Sequence, residues 1–86
     1  MILLKRPNRY YFKIAKNIEN LIFNSGFECM SKLFLRKMVR EVIDPDLSHP
    51  ICDGLLVNQV YPYMREQGWS IGVHNHLVYF MFKRSR

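Results

Sequence analysis

Cysteine is scarce in this chain. Cys29 and Cys52 are the only two, too few for a disulfide framework, and they stand too far apart for a paired-thiol motif. That scarcity points to a reduced, cytoplasmic protein. Long apolar runs are missing too: nothing approaches the roughly 18 consecutive apolar residues a membrane-spanning helix needs. Before Lys5 the start MILLK offers only Ile2, Leu3 and Leu4 after the first methionine, without the apolar middle and small-residue cleavage site of a signal peptide. Glycine and proline number four each and form no repeat or low-complexity stretch. Acidic residues are few, seven against thirteen Lys and Arg. Convergent acid, base and nucleophile groups are absent from the pattern, so no enzyme is expected.

What is present suffices for one folded domain. With 86 residues, 49% of them hydrophobic and 14% aromatic, the chain has material for a single core and too much apolar content for a disordered tail. A chain of this size buries only about 60–65% of its unfolded surface, so stability is modest. The formal charge of +6 is unevenly laid out. Nine of the basic groups lie in residues 1–40, facing only Glu19 and Glu28; residues 41–82 hold Arg65 against five acids; Lys83, Arg84 and Arg86 close the chain. Such a layout suits a polyanion at the first half and the tail.

Three segments are expected: an arm or strand over 1–12, a helical part over 13–68 and a hairpin over 69–83. Ile2 to Leu4 and Tyr10 to Phe12 are short β-prone runs around KRPNR, read as a hairpin or as an irregular arm. Ile14, Ile18, Leu21 and Ile22 then fall on one face of a first helix that Gly26 can end. Ser31 is placed to cap a second helix, whose apolar stripe is Phe34, Leu35, Met38, Val39 and Val42. On its other side Lys32, Arg36 and Arg40 align at i, i+4 and i+8 with Lys37 beside them, a basic ridge about 12 Å long. The prolines make DPDLSHPIC a loop. Asp53 is expected to cap a third helix running to about Gln67, with Leu56, Val60, Tyr63 and Met64 inward and Gly68 as its stop. Pro62 predicts a kink there, or two short helices meeting near Tyr61. Last come Ile71 and Val73 on a half-buried strand, a turn at His74, Asn75 and His76 with Asn75 best able to take positive φ, and the apolar run Leu77 to Phe82. Six apolar residues in a row predict a strand covered on both faces. Lys83, Arg84 and Arg86 would guard it against edge pairing.

From Ser31 to Phe82 the order is helix, loop, helix ending in MREQGW, strand, tip and strand. This resembles the winged helix-turn-helix superfamily, with the helix from Lys13 as that family's first. The expected fold is therefore α+β: three helices followed by a C-terminal β-hairpin, with short N-terminal strands an option. The resemblance implies that the last helix meets the major groove and the wing tip the minor groove or phosphates. It would put Asn58, Gln59 and Arg65 against base edges or phosphates, and His74, Asn75 and His76 at the tip. Asn and Gln suit adenine, and Arg suits guanine. One departure stands out: the third helix carries Asp53, Glu66 and only Arg65, and Asp44 and Asp46 precede it, a surface that repels phosphate.

The functional expectation is a small non-enzymatic DNA-binding regulator, DNA being favoured over RNA. Its phosphate contacts would come from Lys5, Arg6, Arg9, Lys32, Arg36, Lys37, Arg40, Lys83 and Arg84. A homodimer through the apolar C-terminal strand would double them. The alternative is an inhibitor or adaptor of a host protein machine, of the kind small phage proteins are, using the acidic stretch Asp44 to Asp53 and exposed Tyr61 and Trp69. Cys29, Cys52, His74 and His76 lack the close spacing of a zinc site, and the two cysteines read as buried apolar groups. His49 and Cys52 lack the third group of a nucleophilic site. No metal or cofactor and no membrane contact is expected. Tyr10, Tyr11 and Phe12 beside Arg6 and Arg9 read as core packing first and as base-stacking platforms second.

Overall fold

The computed structural model describes residues 9–26 and 28–82. The expected strand Ile2 to Leu4 lies outside them, and so do Lys5, Arg6, Lys83, Arg84 and Arg86. The architecture is α+β: helices packed on one face of a three-stranded antiparallel sheet, with the hairpin at the C-terminal end.

Helix α1 spans Arg9–Ser25, so Tyr10 to Phe12 is helix and not strand. The reason is visible in the core: Tyr11 continues one turn back the stripe of Ile14, Ile18, Leu21 and Ile22 that packs inward. Burial of that stripe outweighs the local β preference of two tyrosines and a phenylalanine. Tyr11 is half-buried and Tyr10 exposed. Gly26 ends the helix with φ +75, its N–H bonding the Ile22 carbonyl at 2.8 Å. A Cβ at Gly26 would meet nothing within 4 Å, so the only cost of Gly26→Ala is the left-handed backbone. That substitution is expected to lose about 1 kcal/mol, read as a fall in melting temperature of roughly 4–8 °C. An unchanged melting temperature would show that the turn relaxes out of this conformation.

Strand β1, Cys29–Ser31, was not foreseen from the sequence. Helix α2 follows at Lys32–Val42, and the Ser31 hydroxyl accepts the Phe34 N–H at 3.1 Å, the expected cap. Leu35, Met38 and Val39 are buried, whereas Phe34 is exposed.

Helix α3, His49–Leu55, starts within the stretch expected to be loop. Ser48, not Asp53, holds the N-cap position, and Pro50 sits in the first turn. Proline there has no intrahelical N–H to lose and a preset φ. Leu56–Val60 is a π-helical turn, and α4 is Tyr61–Glu66. The Tyr61 N–H reaches back five residues to the Leu56 carbonyl. The disturbance expected from Pro62 is thus a widened turn just ahead of it, joining two short helices at the predicted place. Cys52, Leu56, Val60, Tyr61 and Met64 face the core, and Gly68 has φ 110 after the helix.

Strands β2, Trp69–His74, and β3, Leu77–Phe82, pair antiparallel in register from Trp69↔Phe82 to His74↔Leu77. Asn75, in the two-residue turn, has φ 58, as the hairpin requires. The sheet order is β1-β3-β2, with Met30↔Val78 joining β1 to β3. The C-terminal strand is therefore central. Over Leu77–Tyr79 it is paired on both sides, by β1 and β2, so that stretch offers no free edge for strand addition by a second copy. Neither is it covered on both faces: Val78 and Phe80 are buried, while Tyr79 and Met81 are exposed, Met81 by 68%. Trp69 lies under Phe23 of α1, rings 5.7 Å apart, and donates Nε1–H to Glu19 at 2.7 Å. Tyr61 and Trp69, expected as exposed contact aromatics, are both core residues.

Candidate nucleic-acid interface

The basic ridge of α2 exists as a row but is largely turned inward. The Arg36 guanidinium grips Asp53 with two bonds, Nε to Oδ1 at 2.8 Å and Nη2 to Oδ2 at 3.0 Å, and its side chain is 17% exposed. Arg40 Nε donates to the Leu47 carbonyl at 2.8 Å, closing the loop between α2 and α3. Lys32 is half-buried, and Lys37 alone of the four is fully on the surface. The α2–α3 packing explains this: α3 starts five residues earlier than expected, with Ser48 in place of Asp53 at the cap, which carries Asp53 into the helix and opposite Arg36. Two of the four expected phosphate contacts are thus tied into the domain.

The Arg36 bonds hold the Asp53 carboxyl below its ordinary value, burial opposes this, and the charges of Arg36, Lys32 and His49 add to the lowering. A carboxylate with a depressed folded pKa contributes stability above its unfolded value, and that contribution is lost as pH falls through the folded one. Urea midpoints of the wild type are therefore expected to drop from about pH 5 downward more steeply than those of Asp53→Asn, the two curves converging in acid. Parallel curves would mean the pair contributes nothing.

On the last helix, Asn58 is exposed and Gln59 half-buried. Arg65 is exposed but donates Nη2–H to the Ile71 carbonyl at 3.3 Å. The neighbouring exposed residues Ile51 and Val57 are apolar. A cavity of about 100 Å³ separates this helix from the hairpin, lined by Lys32, Asp53, Val57, Tyr61, Val73 and Val78. Burial, with the Asp53 charge adding to it, raises the Tyr61 phenol above its ordinary range, so its hydroxyl stays protonated. At the hairpin tip His74, Asn75 and His76 are all exposed, and the His76 carbonyl accepts the Lys32 N–H at 2.9 Å. The fold therefore brings Lys32 and the tip to one side of the molecule, with Lys37 outward on α2. Arg9 opens α1.

Among the described residues no group of three or more His, Cys, Asp or Glu is placed to hold a metal ion, and no helix is long and apolar enough to cross a membrane. Cys52 is buried and Cys29 half-buried, both free.

Charge by region alters the electrostatic picture. Residues 10–82 hold seven Lys and Arg against seven Asp and Glu, so the whole excess of six rests on Lys5, Arg6, Arg9, Lys83, Arg84 and Arg86. On the solvent face of α1, Phe12, Lys13, Lys16, Asn20, Phe23 and Asn24 are exposed, a surface expected from sequence only in the stacking option for Phe12. The available signal was the complement of the apolar stripe: whatever is not at the Ile14 and Ile18 positions must face out. In comparisons with known proteins, no family model, no curated protein and no solved structure matches this chain.

Proposed function

We propose that this chain is a small non-enzymatic nucleic-acid-binding protein of a reduced, cytoplasmic compartment, DNA being its preferred target, with a winged-helix-like body that positions cations on phosphates. The observation that carries the reading is the charge distribution: a balanced body with six uncompensated cations in its two ends. Phosphate contacts of this kind dominate affinity and fix orientation without reading sequence. The helix, turn, helix and hairpin order supports it, as do the exposed Asn58 and the His74 to His76 tip. Lys37 is the member of the α2 row that serves as a contact; Arg36 and Arg40 act in folding. A salt titration of binding to random duplex DNA tests the reading: log affinity should fall steeply with log salt, and no detectable binding at about 50 mM salt would sink it.

A second reading, an adaptor that docks on a protein machine, is favoured by one observation. Ile51 of α3 and Val57 of the π turn are each more than half exposed, where a base-reading helix would present donors and cations. Loss of the DNA reading in the salt titration would put this one first.

A further inference from the structure

We infer that the outer face of α1 is a platform for single-stranded nucleic acid, an inference that rests on the nucleic-acid reading above and gives it a place on the fold. Phe12, Lys16 and Phe23 lie within a narrow stripe of the helix, since steps of four and seven residues return nearly to the same angle at 3.6 residues per turn. Phe12 and Phe23 stand about 16 Å apart along the axis at 1.5 Å per residue. Both rings are open to solvent, Phe23 by 65%, which is unusual for large aromatics at two ends of one face.

Each ring is held from behind. Phe12 meets the Tyr63 ring edge-on at 5.9 Å. Phe23 rests on Trp69 and meets Phe82 at 6.5 Å, and Trp69 and Phe82 are 5.0 Å apart. Such backing fixes a ring's orientation, and Phe23, the more open of the two, keeps the exposed surface that stacking requires. Between and beside the rings are exposed Lys13 and Lys16, with Asn20 and Asn24 offering both donors and acceptors. Lys16 Nζ lies over the Phe12 ring, 5.6 Å from its centroid, a cation–π contact that holds the ammonium at one face of the ring.

The one carboxylate on this side is already engaged. Glu19 accepts Trp69 Nε1–H at 2.7 Å and faces Lys16 Nζ at 3.4 Å, with its side chain 14% exposed. No exposed residue of α1 is acidic. With Glu19 offsetting one of Lys13 and Lys16, the face keeps one net positive charge between aromatic ends, and its complement is an anionic chain of flat bases rather than an apolar partner. Because the rings stack on any base, binding here would be indifferent to sequence.

The test is fluorescence polarisation of labelled dT15 on the intact chain at about 50 mM salt, with a duplex of the same length in parallel. Phe23→Ala is expected to weaken dT15 binding about tenfold, the loss typical of one stacked base, and to leave duplex affinity unchanged. Phe23→Leu, which keeps apolar contact with Trp69 and Phe82 but has no ring, should weaken it similarly and covers the case in which the alanine variant is poorly folded. Replacing Lys13 and Lys16 together by alanine should flatten the dT15 salt slope by about 1.4 units. If dT15 fails to bind, or both Phe23 variants bind it as the wild type does, the inference is overturned, while duplex binding that persists leaves the broader proposal standing. Vesicles of phosphatidylglycerol, and light scattering of the protein alone, complete the set. Binding to vesicles or self-association that needs Phe23, without dT15 binding, would reassign the face to a lipid surface or a second copy.

Discussion

Trp69→Ala should remove about 3–5 kcal/mol of stability, the usual cost of truncating a buried large aromatic. For 86 residues the whole folding free energy is only about 4–13 kcal/mol, so the variant is expected to be partly unfolded at 37 °C. Three causes act together. The indole is 3% exposed; it supports Phe23 and Phe82 from beneath; and its N–H is a partner of the sheltered Glu19 carboxylate. Trp69→Phe separates these causes, because a smaller ring keeps most of the packing and loses the bond to a charged acceptor, a loss of about 1.5–3 kcal/mol. Far-UV circular dichroism with urea is the suitable measurement, since the chain's one tryptophan is lost in both variants. A Trp69→Ala midpoint within error of the wild type would show that the aromatic corner is not part of the cooperative core.

The second large effect is electrostatic. Exchanging Lys5, Arg6, Arg9, Lys83, Arg84 and Arg86 for glutamine leaves a chain with no net formal charge. If all six meet phosphates, the salt slope on duplex DNA should flatten by about five units. The wild type would lose about a thousandfold in affinity between roughly 50 and 200 mM salt, and the variant would scarcely respond. Exchanging Arg36 and Arg40 instead should lower the urea midpoint and leave the slope almost untouched, because those two guanidiniums hold Asp53 and the Leu47 carbonyl. A six-fold variant that titrates like the parent would falsify the assignment of contacts to the chain ends.

The period of Ile14, Ile18, Leu21 and Ile22, the Ser31 cap, the stops at Gly26 and Gly68 and the positive φ of Asn75 were all legible in the sequence, because each is a local preference with a short-range cause. Three features were not. Strand β1 has three residues, fewer than an alternation signal needs, and exists because β3 pairs with it. Pro50 was read as a breaker although a first helical turn accepts proline. Leu77 to Phe82 looked buried on both faces because composition does not reveal which side of a strand a domain leaves open.

The site was less legible than the fold for the same reason. Spacing alone places Lys32, Arg36 and Arg40 on one side of a helix. Whether that side meets water or another helix depends on Asp53, seventeen residues further on, and no local rule connects the two. Phe23 was overlooked, and Phe12 was weighed as a stacking platform only after core packing, by the opposite error, since a large aromatic on a short chain is presumed to be core.

The link from the Lys32 N–H to the His76 carbonyl, at 2.9 Å, fastens the hairpin's tip to the start of α2. A flexible loop must give up conformational freedom when it closes on a ligand, and that loss is subtracted from affinity. Here the loop is preorganised during folding, so whatever meets His74, Asn75 and His76 finds their backbone already in place and loses little entropy on arrival.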